Sequence, residues 1–285
     1  MVKEVLENLI IDNKGKYVDC TFGMGGHTKK ILDKLSSVGS LYAIDKDPYS
    51  AELAKDLALT ESRLSVINDN FSNIKNYFGT NEVDGVLLDL GISSYQLDTG
   101  NRGFSFQQDG PLDMRINQNE GISAKDWINT AKQKEIEDVL WLIGEERFSR
   151  KIARAICSKR LKYSIETTGE LAEVILSVVP RRSKKHPATN SFRAIRMFIN
   201  KEIEELREGL EEVANVLHPG ARMAIISFHS IEDRIAKRFI QGKDRKRSQI
   251  KFNLVGGKPM KPSFEEIKNN PRSRSAILRI AEKVA

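Results

Sequence analysis

Short apolar runs alternate with segments of helical periodicity in the first third of this sequence, and this alternation limits the possible folds more than any other feature. Strands that alternate with helices in this way form a parallel sheet covered by helices, a doubly wound α/β fold. Residues 28–35 and 50–59 are the predicted helices, the second starting after Asp47 and Pro48 end a strand. The predicted strands are residues 17–22, 41–46, 64–69 and 83–90.

The pattern changes after residue 90. Residues 91–115 are rich in Gly, Ser, Gln and Asp without a sustained period, which is typical of a long functional loop. Helical stripes follow, and a longer stripe runs from Phe192 to Leu217 and stops at the sequence His218-Pro219-Gly220. The shorter stripes, which we interpret as core, are Ile136, Val139, Leu140 and Ile143, then Leu171, Val174, Ile175 and Val178.

The sheet pattern resumes at a predicted strand, residues 221–228, followed by a helix at 231–240. A chain of 285 residues with 40% hydrophobic residues can form one large domain that carries an insertion. We therefore expect a sheet domain in two parts, residues 1–98 and 203–285. Between them, residues 99–202 are expected to form a mostly helical domain that recognises the substrate.

Composition adds weaker constraints. The net charge of +7 slightly favours a polyanionic partner. No apolar run approaches the roughly 20 residues that span a bilayer, and the first ten residues do not resemble a signal peptide, so we expect a cytoplasmic protein that does not act on a membrane. Cys20 and Cys157 are far apart and lack a metal-binding pattern, so we expect two buried thiols, with no disulfide and no bound metal.

The strongest local signal is a strand that runs into a glycine turn and then a helix, residues 18–27 (VDCTFGMGGH). Glycines allow a sharp turn and a close approach of the backbone to a ligand, as in nucleotide-like cofactor sites. Asp45 ends the second predicted strand, where a carboxylate can accept both ribose hydroxyls. The turn and Asp45 together predict a nicotinamide or an S-adenosylmethionine cofactor.

Three details distinguish between these cofactors. No Gly-Lys-Ser/Thr follows the turn, which excludes a P-loop. Thr28 replaces the third glycine of the nicotinamide fingerprint. Asp19 precedes the turn, where a carboxylate suits a cationic sulfonium better than a pyrophosphate. We therefore favour S-adenosylmethionine, with a nicotinamide oxidoreductase as the alternative.

Two more strand ends should face this cofactor, since ligands of such folds lie over the carboxyl edge of the sheet. Phe71 follows one of them and is either an adenine contact or a core aromatic. Asp89 ends an otherwise apolar strand, where a carboxylate is unfavourable unless it binds something. We therefore predict a site role for Asp89.

Sequence strings across nearly the whole chain resemble the bacterial RsmH (MraW) family. Together they identify the family more firmly than any one of them. The strings are residues 21–27 (TFGMGGH), 43–48 (AIDKDP), 89–98 (DLGISSYQLD), 102–106 (RGFSF), 109–115 (DGPLDMR), 144–147 (GEER), 186–189 (HPAT), 226–234 (ISFHSIEDR) and 270–275 (NPRSRS).

The resemblance implies a Rossmann-like class I S-adenosylmethionine-dependent methyltransferase with an inserted helical domain. The implied reaction is methylation of the N4 amino group of a cytidine in the decoding centre of 16S ribosomal RNA, either as free RNA or within a small ribosomal subunit or its precursor. The cofactor contacts of the family fall on Gly25, Gly26, His27, Asp45, Phe71, Asp89 and Gln96. The residues alone give no ligand role to His27 or Gln96.

The sequence departs from the family in two places. The family usually carries a His-x-x-Val segment before its first helix, whereas this sequence starts at Met1 within that helix, so we expect no contribution from that segment. The stretch between Gln241 and Asn270 is also short. Contacts that relatives make there are therefore not expected here.

Methyl transfer to an amine needs the amine held in line behind the methyl group, and a hydrogen-bond acceptor can help to orient its lone pair. Asp89 is our candidate catalytic residue, and Ser93, Ser94, Ser227 and His229 are alternatives. The Asp/Asn-Pro-Pro-aromatic motif of many amino methyltransferases is missing. Transfer to cytosine C5 is disfavoured because it needs an activated thiolate, which neither cysteine is placed to supply.

A basic stretch, residues 181–186, lies between two predicted helices. It is either a solvated loop or a contact for RNA phosphates. We predict RNA contacts at Lys184 and Lys185, and at Arg193 and Arg196 on the next helix. An RNA-binding assembly protein without turnover is the non-enzymatic alternative.

Overall fold

The computed structural model describes residues 1–180, 186–243 and 250–284. Its contacts define two compact units: a sheet unit, Met1–Gly91 with Glu204–Ala285, and a helical unit, Ile92–Ile203. The sequence prediction placed the first boundary later, at residue 98. The structural boundary is earlier because Ile92 and Leu97 pack on the core of the helical unit. In the described part of the chain, no helix has the length and apolar character needed to cross a membrane.

Among the described residues, seven strands form one sheet in the order β3-β2-β1-β4-β5-β7-β6. β1 to β5 pair in parallel, whereas β7 is antiparallel to both β5 and β6. This is a Rossmann-like arrangement, in which ligands bind outside the carboxyl ends of the central strands. The strands are β1 (Lys16–Asp19), β2 (Ser40–Ile44), β3 (Leu64–Ile67), β4 (Val83–Asp89), β5 (Leu217–Ser227), β6 (Phe252–Leu254) and β7 (Ile277–Lys283).

The helices follow the strands in the sheet unit and make up most of the helical unit. The boundary between the units falls inside α10. In chain order the helices are α1 (Val2–Leu9), α2 (Gly26–Leu32), α3 (Pro48–Ala58), α4 (Ser94–Asp98), α5 (Ala124–Thr130), α6 (Gln133–Asp138), α7 (Ser149–Arg160), α8 (Thr168–Leu176), α9 (Thr189–Ile199), α10 (Glu202–Val216), α11 (Ser230–Ile240) and α12 (Phe264–Asn269).

The core of the sheet unit is formed by strand residues such as Tyr17 and Leu87 and by the helices that cover them. Val5 and Leu9, one turn apart on α1, are fully buried, and so is Ile31 of α2. The predicted strands and helices of this region are confirmed, although each strand ends slightly earlier than predicted. The differences are small, and residues just past the ends, such as Asp45 and Leu90, still donate backbone hydrogen bonds to the neighbouring strands, at Ile67 and Ile226.

The helical unit has its own core, and the two short stripes contribute to it as predicted. Ile136, Leu140, Leu171 and Ile175 are fully buried. The first stripe continues from α6 into a short π-helix, Val139–Ile143. The prediction of two buried thiols is wrong for Cys157, which is only half-buried, whereas Cys20 is buried.

The longer stripe is carried by α9 and α10. The two helices are separated at Lys201, whose φ of 51° is left-handed and cannot continue a right-handed helix. The sequence His218-Pro219-Gly220 does not precede the strand as predicted but lies within β5. The pairing with β4 shifts there, from Val83 opposite Leu217 to Gly85 opposite Arg222, so these residues form an irregularity in the ladder.

Residues 91–115, predicted as a loop, contain α4 and a 3₁₀ turn, Gly100–Arg102. A capping box begins α4: the Ser93 side chain accepts from the Gln96 N–H, and the Gln96 side chain accepts from the Ser93 N–H. The Ser-x-x-Gln spacing was the local signal for this helix. The short β6 also had no predicted counterpart.

Candidate active site

β1 leads into the glycine turn at the carboxyl edge of the sheet. Gly23 and Gly25 have φ values of 55° and 73°, which favour glycine. A Cβ on Gly25 would also lie 2.8 Å from the Phe22 ring, so no side chain fits there. A Cβ on Gly26, by contrast, would meet nothing within 4 Å. The turn therefore leaves open space in which a ligand can approach the backbone at Gly26.

Asp19 joins the two ends of this turn. Its side chain is 1% exposed, and its carboxylate accepts hydrogen bonds from the Thr28 hydroxyl at 2.7 Å and the Thr21 N–H at 3.2 Å. Burial raises the pKa of Asp19, against the opposing effects of these hydrogen bonds and of His27. Asp19 thus stabilises the turn and adds a buried carboxylate beside it.

Asp45 immediately follows β2 and bridges two loops. One carboxylate oxygen accepts from the Gly23 N–H and the other from the Asp47 N–H, both at 2.8 Å. Burial raises the pKa of Asp45 to about 6, although both hydrogen bonds oppose the rise. A carboxylate has about four lone-pair sites, so each oxygen can still accept another donor. The geometry is compatible with a pair of ribose hydroxyls, and the cofactor contact of Asp45 stays a prediction.

Asp89 and His27 form the second polar feature of this edge. Asp89 ends β4, its N–H donates to the Thr21 hydroxyl at 2.7 Å, and its Oδ2 lies 3.3 Å from His27 Nδ1. Burial alone would lower the pKa of His27, but the hydrogen bond and charge of Asp89 outweigh it, so the pKa is raised. The result is a carboxylate–imidazole pair in which Asp89 Oδ1 and His27 Nε2 do not take part.

Those two remaining atoms are informative. Among the described residues, Asp89 Oδ1 and His27 Nε2 are buried without a hydrogen-bond partner. Buried polar atoms are usually paired, because leaving one unpaired is unfavourable. A polar ligand would satisfy both atoms, which supports a site role for each.

Phe71 begins a 3₁₀ helix, Phe71–Asn76, after β3, and its side chain is half-buried. One side of the ring packs against α10 at Gly209, where a Cβ would lie 2.2 Å from Phe71 Cε2. The ring is therefore held as part of the surface and retains the exposure that an adenine contact requires. Gly209 was not singled out in the sequence, because a lone helical glycine gives no signal there.

The structure gives three of the four alternative acceptors local structural roles, and the fourth, Ser94, is exposed on α4. Ser93 caps α4, and the Ser227 hydroxyl donates to the Ile277 carbonyl at 3.4 Å. His229 is the N-cap of α11: its Nδ1 accepts from the Glu232 N–H, and its Nε2 lies 2.9 Å from Glu232 Oε1. Asp89 stays our predicted acceptor: its Oδ1 has no partner, whereas His229 Nε2, which also lacks a hydrogen bond, faces the Glu232 carboxylate.

Gln96 and the two predicted arginines belong to the helical unit. The Gln96 side-chain oxygen serves the cap of α4. Arg193 donates to the Gly144 carbonyl at 3.0 Å, and Arg196 makes a two-pronged ion pair with Glu202 at 2.7 and 2.8 Å. These contacts give all three residues structural roles, and their ligand contacts stay predictions. Lys184 and Lys185 lie outside the described residues.

The fold and the edge together define a class of enzyme. All strands of the sheet run in the same direction except β7, and its carboxyl edge carries a glycine turn, a carboxylate suited to ribose, a half-buried aromatic and a second carboxylate with an unpaired oxygen. These residues fit a cationic nucleoside cofactor. This combination is that of a class I methyltransferase.

Comparison with known proteins gives the family. The model of the MraW methylase family matches residues 1–284. A ribosomal RNA small subunit methyltransferase H from Marinomonas sp. (strain MWYL1) is 47% identical over 302 residues, covering 100% of this chain and 96% of its own. Its counterpart from Stenotrophomonas maltophilia (strain K279a) is 46% identical over 293 residues, covering 98% and 91%. This chain belongs to the MraW methylase family, and its cofactor is S-adenosylmethionine.

Proposed function

We propose that the protein transfers a methyl group from S-adenosylmethionine to the N4 amino group of a cytidine in the decoding centre of 16S ribosomal RNA. The observation that carries the proposal is near-complete alignment at 46–47% identity with relatives named ribosomal RNA small subunit methyltransferase H. The substrate is the RNA of the small ribosomal subunit or of its precursor, in the cytoplasm. The choice of N4 rests on the family resemblance and on the chemistry of the edge.

Four groups besides Asp89 would hold the cofactor. The turn at Gly25, Gly26 and His27 gives it a close backbone approach, and Asp45 accepts its ribose hydroxyls. Phe71 packs on its adenine, and Gln96 is a further contact that the resemblance implies. When bound, the cofactor supplies an electrophilic methyl group on a sulfonium.

Asp89 is the proposed catalytic residue as well as a cofactor contact. Its Oδ2 is paired with His27 and its backbone is fixed by Thr21, which leaves Oδ1 as a positioned acceptor. An acceptor that binds one amino hydrogen turns the amine so that its lone pair can attack in line. His27, acting through Asp89, is then a positioning residue for that oxygen.

Transfer to carbon C5 of cytosine is the chemical alternative, and it needs a thiolate nucleophile. Burial raises the pKa of the Cys20 thiol well above its usual value. The other cysteine, Cys157, is half-buried on α7 of the helical unit. Neither residue suits a nucleophile, which favours transfer to nitrogen.

Mass spectrometry of 16S RNA nucleosides tests the proposal. Free 16S RNA and small subunits from cells without the modification are incubated with enzyme and methyl-labelled cofactor. We expect labelled N4-methylcytidine at one position, formed with stoichiometric release of S-adenosylhomocysteine. Label on another atom would refute N4 transfer. RNA binding without label would instead support an assembly protein without turnover, and preferential binding of NAD would support an oxidoreductase.

A further inference from the structure

The solvent face of α7 carries only cations among its charged residues. Ile152, Ala153 and Ile156 bury the opposite face of this helix. Arg150, Lys151 and Arg154 are exposed, with the uncharged Ser158 one turn further on. Exposed Arg147 precedes the helix, and exposed Lys159 and Lys162 lie at its end. We define the α7 face as Arg147, Arg150, Lys151 and Arg154.

These charges do not stabilise the helix. Arg150 and Lys151 lie in the first turn of α7, which contains no acidic residue and where a cation opposes the helix dipole. Arg150 and Arg154 are also four residues apart, a spacing at which like charges destabilise a helix. Buried Glu146 offsets part of this by accepting the Phe148 N–H at the helix start.

Cations on two other surface helices are paired within their own helix. Lys134 contacts Asp138 on α6, and Lys55 contacts Glu52 on α3. In the described ranges 1–180, 186–243 and 250–284, no member of the α7 face makes an ion pair. Four exposed, mutually repelling cations on successive turns are complementary to a polyanion with regularly spaced charges.

Exposed side chains at the end of α7 add a second kind of contact. Tyr163 is 71% exposed, and Lys159 lies over its ring at 5.8 Å. Basic surfaces interleaved with exposed aromatics bind the backbone of nucleic acids and stack on unpaired bases. Arg193 and Arg196, by contrast, are engaged with Gly144 and Glu202.

We propose that the α7 face binds the phosphodiester backbone of the RNA substrate and holds it for methylation. This rests on the function proposed above. The contacts are with phosphates, so the face supplies affinity and register while the active site selects the cytidine. The charges that destabilise the free helix become favourable once phosphates neutralise them.

The test variant is Arg150→Gln, Lys151→Gln, Arg154→Gln, which keeps length and helix propensity but removes three charges. RNA affinity is measured at several salt concentrations. Three lost phosphate contacts should reduce the slope of log affinity against log salt by about 2, and affinity near 0.1 M salt by up to about a hundredfold. Cofactor affinity should not change. The Arg150→Lys, Arg154→Lys variant keeps the charges and should keep the slope.

The matched control is Lys125→Gln, Lys132→Gln, Lys134→Gln, which removes three charges from the same unit but outside the α7 face. Equal losses of RNA affinity in both triple variants would show that only the net charge of the protein matters, and would overturn the proposal. So would wild-type affinity and slope in the α7 variant. Unchanged binding of free RNA with weaker binding of subunits would assign the face to a ribosomal protein instead. Failure of the proposed function would be evident separately, as a wild-type enzyme that does not methylate the RNA.

Discussion

Lowering the pH from 7 to 5 should weaken S-adenosylmethionine binding about tenfold through Asp45. Burial raises the pKa of Asp45 to about 6, so its carboxyl is mostly ionised at neutral pH and mostly protonated at pH 5. Ribose hydroxyls donate to the ionised form, so binding requires loss of the proton. The ionised fraction falls from about nine-tenths to about one-tenth across this range, which gives the tenfold change.

Calorimetry at several pH values, in buffers of different ionisation enthalpy, measures both the affinity and the protons released. Asp45→Asn should bind one to two orders of magnitude more weakly, because hydrogen bonds to a charged group contribute roughly 1.5 to 3 kcal/mol, and it should lose the pH step. Asn is preferable to Ala because its one amide oxygen can keep either the Gly23 or the Asp47 N–H bond, whereas Ala would leave both N–H groups unpaired. The pKa of His27 is also raised, by its hydrogen bond to Asp89 against the effect of burial, so His27→Asn is the control and should keep the step. A wild-type affinity that is flat between pH 5 and 7, or a step that persists in Asp45→Asn, would refute this reasoning.

Three further substitutions separate catalysis, cofactor positioning and folding. Asp89→Asn should slow single-turnover methylation by at least about a hundredfold and leave RNA affinity nearly unchanged; equal losses would indicate a damaged surface. Gly209→Ala would normally stabilise a helix by about 1 kcal/mol, but here its Cβ would collide with Phe71. We expect a higher KM for the cofactor at a similar kcat, and little further effect of the substitution in a Phe71→Leu background; additive effects there would disprove the link. His229→Ala should lower the free energy of unfolding by about 1 kcal/mol in a denaturant titration, since a helix cap is lost, and should keep the methylation rate. A folded His229→Ala protein without activity would return His229 to the catalytic candidates.

Local patterns in the sequence predicted strands β1 to β5 of the sheet unit but not β6. Short apolar runs that alternate with helical segments predicted its parallel strands, because a strand that is buried on both faces must be apolar along nearly its whole length. The carboxyl edge followed from where those runs end, so Asp45, Phe71 and Asp89 could be placed at one edge without coordinates. What local pattern could not give was long-range contact. Gly209 meets Phe71 across more than a hundred residues of sequence, and no periodicity signals that encounter.

The cationic residues show why charge in a sequence is a weak guide to binding. The prediction favoured Arg193 and Arg196 because they follow a basic stretch, yet folding directs one to a carbonyl and the other to Glu202. The sequence did not predict RNA contacts at the α7 cations, because charges at helical spacing on one helix usually mark a solvated face. Only the structure distinguishes a cation that is already paired from one that is exposed beside its own kind. Exposed like charges close together are unfavourable until an anion binds them. The α7 face is therefore the stronger candidate for binding RNA.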